Sequence, residues 1–260
     1  MIDAIYCISL GRLPERRNKC IQLLSSVDFC PVYFLDAVDA SMYTKQDFHD
    51  EGIYEYEDWE ISQQESHIET KLGKTNMVYW QRPITSGEFG CAVSHYMIWK
   101  RTCEMNHKNV LIFEDDIGFE YDKLLQLLSV YDEFSKNNVC DIFYLGCLPY
   151  IDNEKVTEDI VRCEFAYLLH AYIISNDAAR ILINADLFSN LIAADEFVPV
   201  SYGNPLRKDL SELYTFERKL LAYRGVESVV WQNDSGGSQT AAAEVEVEIL
   251  TEEKSRRLYK

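Results

Sequence analysis

The chain has 260 residues, 47% of them hydrophobic and 13% aromatic, with a formal net charge of -18. It can bury a large core, which argues against a disordered polypeptide. Its charge argues against a nucleic-acid backbone or an anionic membrane as main partner. An anionic small substrate is also disfavoured unless a cation or local arginines offset the field.

The first residues, MIDAIYCISLGRLPERR, do not read as a secretory signal, because Asp3 comes early and the apolar run is short. No stretch approaches the roughly 20 apolar residues of a membrane span. Residues 4–10 (AIYCISL) form an apolar run expected to be a buried strand. Residues 14–27 follow as a helix, with Cys20, Leu23, Leu24 and Val27 at helical spacing and Pro14 suited to its first position. Residues 32–39 (VYFLDAVD) predict a second strand ending on acids, and this β–α–β order implies parallel pairing. Residues 41–84 are polar, aromatic and irregular, expected as a short helix and then a long loop or lobe.

Residues 85–105 predict a helix whose Thr85 and Glu88 fit a capping box. A strand at 109–114, a helix at 121–136 and a strand at 141–146 follow. Residues 165–175 read as one bent strand or two, and 176–185 as a helix capped by Ser175 or Asn176. Asp195 and Glu196 precede a strand-like segment within 192–202, and 220–232 predicts late strands. The expected organisation is one domain over 1–240, with 41–84 as an irregular insertion or acceptor lobe and 241–260 as a polar tail. Strands alternating with helices favour a mixed α/β sheet with helices on both faces, where ligands sit at the carboxyl ends of strands.

Eight cysteines show no C-x-x-C pair and no zinc-site spacing, so they are expected as reduced, mostly buried thiols. The strand 109–114 runs straight into Glu114, Asp115 and Asp116. Two carboxylates about 5 Å apart at an effective dielectric near 20 repel by roughly 3 kcal/mol. The cluster comes too early to cap the helix near Tyr121. It is either a solvated turn or a place where a hard cation takes oxygen ligands. Arg12, Arg16 and Arg17 follow the first strand, and arginine suits phosphate. The alternative is a solvated helix start, although arginines there oppose the helix dipole. Ser94 and His95 read most simply as satisfied helix residues, and the remaining histidines are scattered. Asp195 and Glu196 read most simply as a helix cap.

The blocks ISLGRLPERR, DAVDA, SGEFGCAVSHYMIWK, VLIFEDD and ADEFVPV stand in an order that resembles glycosyltransferase family 25. That family holds lipooligosaccharide galactosyltransferases and procollagen galactosyltransferases. ADEFVPV is similar to the D-E-F-L-P-V motif of the collagen-modifying branch. The resemblance spans roughly residues 4 to 240. It implies a GT-A-like, mostly parallel sheet, a uridine-diphosphate sugar donor, manganese (or magnesium) dependence and inversion at the anomeric carbon. Asp116, supported by Glu114, is then expected at the metal. Leu10, Arg12, Arg16, Arg17, Asp39, Glu114 and Asp115 are expected at the nucleotide sugar, and Asp195 or Glu196 as the base. The sequence departs from the pattern at Gly11 and Leu13, which thin the charged run. It also lacks the collagen branch's histidine before the late Gly-rich turn, leaving Gln232, Asn233, Asp234 or water to complete a metal shell.

The expected activity is sugar transfer, most simply of galactose, to a hydroxyl of a collagen-like chain or a saccharide. A metal-dependent phosphohydrolase or nucleotidyltransferase, and an inactive binding module of the same fold, are the alternatives. The expected compartment is the cytoplasm for the chain as written, or the endoplasmic-reticulum lumen if it is part of a longer chain.

Overall fold

Strands without polar alternation belong in the middle of a sheet, buried on both faces. The computed structural model describes residues 1–60, 82–149, 154–205 and 207–233, and it bears this out. β1 (Ala4–Ser9) and the centre of β3 (Asn109–Glu114) are fully buried, and β2 (Val32–Asp36) is a partly exposed edge. β4 (Ile117–Phe119), β5 (Ile142–Pro149), β6 (Ile160–Arg162), β7 (Ala166–Ser175), β8 (Ala222–Gly225) and β9 (Val230–Gln232) complete the strands. Seven of them form one sheet in the order β2-β1-β3-β7-β5-β8-β6. β2, β1, β3, β5 and β8 point one way, while β7 and β6 run against them. The sheet is therefore mixed and mostly parallel, as expected. β4 and β9 pair separately and antiparallel.

Helices cover both faces. They are α1 (Pro14–Leu24), α2 (Lys45–Asp50), α3 (Ser86–Glu104), α4 (Tyr121–Ser135), α5 (Asn176–Asn184), α6 (Ala194–Val200) and α7 (Lys208–Leu213). Alternate strand residues divide the core in two. Tyr6, Val110, Ile112, Tyr172 and Ile174 face α3, α5 and α6. Ile5, Leu111, Phe113, Phe143 and Ile173 face α1 and α4.

The Thr85–Glu88 capping box forms, and Ser175 caps α5. The irregular region holds α2, with a Thr44–Asp47 capping box, and two short 3-10 turns at Ala40–Met42 and Glu57–Trp59. The rest of the proposed lobe, 61–81, and the tail expected at 241–260 lie outside the described residues. Residues 166–175 make one strand, bent where Leu168 takes a φ of 73°. The segment after Glu196 is the clear correction. Phe197 to Val200 are helical, not strand-like. Two acids in the first turn suit the helix dipole, and buried packing of Phe197, Val198 and Val200 overrides β-branched propensity. All eight cysteines are unpaired; Cys7, Cys20 and Cys163 are buried and the other five only partly so. No described helix is long and apolar enough to cross a membrane.

One close approach fixes α3 against the loop after β2. A Cβ on Gly90 would lie 2.2 Å from the carbonyl oxygen of Val38. One turn on, Ser94 Oγ accepts the Val38 N–H at 2.9 Å and donates to the Gly90 carbonyl at 2.6 Å. Helix propensity alone would make Gly90→Ala stabilising by about 1 kcal/mol. A backbone clash of this kind typically costs about 1–3 kcal/mol and outweighs it. Gly90→Ala should therefore lower the urea midpoint, and an unchanged or higher midpoint would show that the loop moves aside freely.

Candidate functional site

The parallel register Ile8↔Glu114 and Ser9↔Asp36 brings the carboxyl ends of β2, β1 and β3 side by side. Asp36, Ser9 and Glu114 thus line one edge, where sheets of this kind bind ligands. Arg12 in the β1–α1 connection and Arg16 and Arg17 in the first turn of α1 turn towards that edge. Arg17 Nη2 donates to Asp36 Oδ1 at 2.5 Å and to the Ser9 carbonyl at 3.0 Å. Arg12 Nε donates to Asp39 Oδ2 at 2.5 Å, and Asp39 also accepts from Ser41. Arg16 Nε and Nη2 reach Asp115 Oδ1 at 3.0 Å and Asp116 Oδ2 at 2.8 Å. Leu10 contributes its backbone N–H, which donates to Asp115 Oδ2 at 3.2 Å. All the nucleotide-side residues expected from the sequence therefore meet at one edge, but the guanidinium groups rest on carboxylates.

The acid cluster carries more negative charge than Arg16 alone offsets. Burial raises the Asp115 carboxyl above its ordinary value, against the pull of Arg16. Burial and the charge of Glu114 push Asp116 up to about 6. The backbone carbonyls beneath are braced by thiols, Cys20 Sγ at 3.3 Å from the Asp115 oxygen and Cys7 Sγ at 3.9 Å from that of Glu114. β9 returns beside the cluster. Gln232 pairs with Ile117 across the β4–β9 ladder, and its Nε2 stands 3.5 Å from both Asp116 oxygens.

Glu114 is held differently. Trp99 Nε1–H can only donate, and it does so to Tyr172 Oη at 2.9 Å. Glu114, as a carboxylate, can only accept, so His95 Nε2–H donates to its Oε1 at 3.2 Å, and in the neutral ring Nδ1 then accepts the Tyr172 hydroxyl at 2.8 Å. Burial would raise the Glu114 carboxyl, but the His95 hydrogen bond, aided by Arg16, holds it below its ordinary value. Cys91 Sγ lies 3.8 Å from the same oxygen. Cys91, His95 and Glu114 place their donor atoms within 4.8 Å of one another, a spacing an ion could use. In this tautomer, however, His95 has no lone pair left, and hard ions prefer oxygen to thiol. The carboxylates of Asp116 and its neighbours, charged, part-buried and beside the Gln232 side chain, fit a hard divalent cation better.

Asp195 and Glu196 open α6 and face different surroundings. Glu196 is fully buried and accepts the Tyr167 hydroxyl at 2.9 Å. Asp195 Oδ1 accepts the Leu169 N–H at 3.1 Å, tying down the strand beside the strained Leu168. Burial and the charge of Glu114 push the Asp195 carboxyl up to about 7.

Two histidines make contacts that the sequence did not assign, His95, read there as a satisfied helix residue, and His170. His95 shares a helix face with Glu88 and Cys91, and a polar triplet on a buried face was the available signal. His170 gave no signal, because only the β3–β7 register (Phe113↔Ala171) sets it opposite Glu114. Its Nε2 bonds the Val230 carbonyl at 3.1 Å, over Gly146, where a Cβ would meet that nitrogen at 2.5 Å. Ser94, read as a helix residue, is that and a loop anchor.

A family model described as Glycosyltransferase family 25 (LPS biosynthesis protein) matches residues 2–198. A glycosyltransferase 25 family member of Aedes aegypti is 29% identical over 78% of this chain and 31% of its own length. Procollagen galactosyltransferase 2 of Homo sapiens is 24% identical over 95% of this chain and 38% of its own. Procollagen galactosyltransferase 1-A of Xenopus laevis is 31% identical over 95% and 39%. The chain thus spans about a third to two fifths of the length of these curated relatives. Among solved structures, apo mouse xyloside xylosyltransferase 1 aligns over 76% of this chain and 80% of its own, at 10% identity and a TM-score of 0.33.

The Asp195 environment has a stability consequence with a definite sign. Its carboxyl titrates near 7 in the fold and near 4 in an unfolded chain. The folded state holds the extra proton in between, so this group's contribution to stability falls as pH rises from about 4 to about 7. Asp195→Asn keeps the acceptor for Leu169 and removes the buried charge. In chelator, the variant should melt above the wild type at pH 8, by at most about 4 kcal/mol of stability, with the gap closing at pH 5. A gap that does not change with pH would show that Asp195 is ordinary.

Proposed function

The chain belongs to glycosyltransferase family 25, and from that membership we propose that it is a metal-dependent, inverting glycosyltransferase. It moves a sugar, galactose in the simplest case, from a uridine-diphosphate donor to a hydroxyl acceptor. The observation that carries the reading is the acid triplet at the carboxyl end of β3, faced by Arg16, with Arg12 and Arg17 paired to Asp39 and Asp36 at the same edge. Phosphohydrolases also use strand-end acids, but they need no second carboxylate poised near neutrality across the site, as Asp195 is.

Under this reading each residue has a role. Asp116, supported by Glu114 and Asp115, would hold manganese or magnesium, with the Gln232 side chain beside it. When bound, that ion supplies positive charge for the leaving diphosphate. Arg12, Arg16 and Arg17 exchange part of their carboxylate contacts for phosphate oxygens, which suit the guanidinium fork. Asp39, on the loop after β2, faces the nucleoside, and Leu10 holds Asp115 in place. Asp195 takes the acceptor's proton as the acceptor oxygen bonds to the anomeric carbon and uridine diphosphate departs. Glu196, buried against Tyr167, supports α6 and does not serve as the base. The acceptor is a hydroxylysine of a collagen-like chain, the chemistry named in the procollagen relatives, or a saccharide hydroxyl.

The donor site is tested by melting curves. At 100 times its dissociation constant a ligand stabilises the fold by about 2.7 kcal/mol. Uridine diphosphate with manganese should raise the melting temperature more than adenosine or guanosine diphosphate does. Chelator or Asp116→Asn should abolish the shift. Equal shifts for all three nucleotides would refute uridine selection, and a full shift in excess chelator would refute the metal.

The base is tested by turnover with donor and either acceptor class. Asp195→Asn should lower kcat by at least about 10²-fold with donor affinity little changed, whereas near-normal turnover would move the role elsewhere. Proton NMR of the product from an α-linked donor should show a β linkage, and an α linkage would rule out inversion.

A further inference from the structure

The cation closest to the acid cluster is a side chain of the protein itself. Arg16 lies in the first turn of α1, largely buried, between two carboxylates of adjacent residues. Its Nε takes Asp115 Oδ1 at 3.0 Å and its Nη2 takes Asp116 Oδ2 at 2.8 Å. The two carboxylates are not equally committed. Asp115 is anchored on its other oxygen by the Leu10 N–H at 3.2 Å. Among the described residues, the other side-chain contact to Asp116 is Gln232 Nε2 at 3.5 Å, the outer limit of a hydrogen bond. Asp116 is therefore the oxygen donor most easily taken over by another cation, and Arg16 is the group in its way.

We propose that Arg16 is a place-holder for the metal. It neutralises Asp116 in the ion-free site and gives up that oxygen when a divalent ion binds. Still held by Asp115, it then turns its freed N–H groups to the donor's diphosphate. The inference rests on the reading that the ion sits on Asp116. A carboxylate can accept from a guanidinium while it ligates an ion, but the two like charges then sit side by side and repel, which favours the departure of Arg16 from Asp116. When the ion binds alone, the displaced Arg16 gains no new partner in exchange. With a diphosphate present, the displaced guanidinium gains phosphate oxygens. Ion and nucleotide then favour each other through one side chain, and the coupling is reciprocal.

The sign of this coupling separates a place-holder from a plain phosphate ligand. Free hydrated manganese gives an electron paramagnetic resonance signal, so its loss on titration reports binding without any turnover. Arg16→Gln should bind manganese alone more tightly than the wild type, by at least about threefold. The factor by which uridine diphosphate tightens manganese binding should fall by about tenfold. Arg16→Lys keeps a positive charge and should leave the affinity for manganese alone near the wild-type value, while guarding against a folding defect in the glutamine variant. If Arg16→Gln binds manganese alone no tighter than the wild type, while Asp116→Asn abolishes binding, the metal site stands and the place-holder is wrong. If the wild type binds no manganese with or without uridine diphosphate, both fall.

Discussion

The structure turns on crowded negative charge at one sheet edge. Asp36, Asp39, Glu114, Asp115 and Asp116 converge at the carboxyl ends of three neighbouring parallel strands, in a chain whose net charge is already -18. Such a cluster is tolerable only with counter-charge, and Arg12 of the β1–α1 connection with Arg16 and Arg17 of the first turn of α1 supply it. Arg16 and Arg17 in the first turn of a helix oppose its dipole. Acids facing that same helix end reverse the account, because the helix N-terminus and the guanidinium groups then present positive charge together. The β1–α1 connection is thereby fixed by electrostatics as much as by packing.

Around that edge the fold separates carboxylates that the sequence sets in similar motifs. Glu114 is kept ionised by a buried chain running Trp99, Tyr172, His95. Asp195, within reach of its charge, is pushed towards protonation. Pairs of acids driven apart by their surroundings are how one site holds both a permanent anion and a proton acceptor near neutral pH. The helix α3 does two things here. Its Gly90–Ser94 turn fixes the loop that carries Asp39, and one residue further its His95 fixes Glu114.

Much of this was legible from the sequence. Apolar runs without alternation gave the central strands, and the Thr85–Glu88 box and Ser175 marked helix starts that the structure keeps. Strand-end acids and post-strand arginines gather at one edge because parallel neighbours share an end. The misses have a common cause, which is that they depend on register or packing. His170 joins Glu114 through antiparallel pairing between strands some sixty residues apart, which no local pattern encodes. Phe197 to Val200 looked like a strand by propensity, and burial on the α3 side of the sheet decided otherwise.

The bend at Leu168 ties these threads together. A leucine at a φ of 73° is disfavoured by its Cβ and persists only where surroundings over-determine it. Asp195 supplies that restraint by accepting the adjacent Leu169 N–H. β5 accommodates the same bend with register shifts around Gly146, the glycine that also makes room for His170. The strain therefore has a location and a counterpart. The backbone is bent where the strand carrying His170 must pass the helix carrying Asp195. The carboxylate that holds the bend is also the one closest to neutrality. Its position is set by two backbone amides rather than by a flexible side-chain partner, which is the kind of fixed placement a proton-accepting group needs.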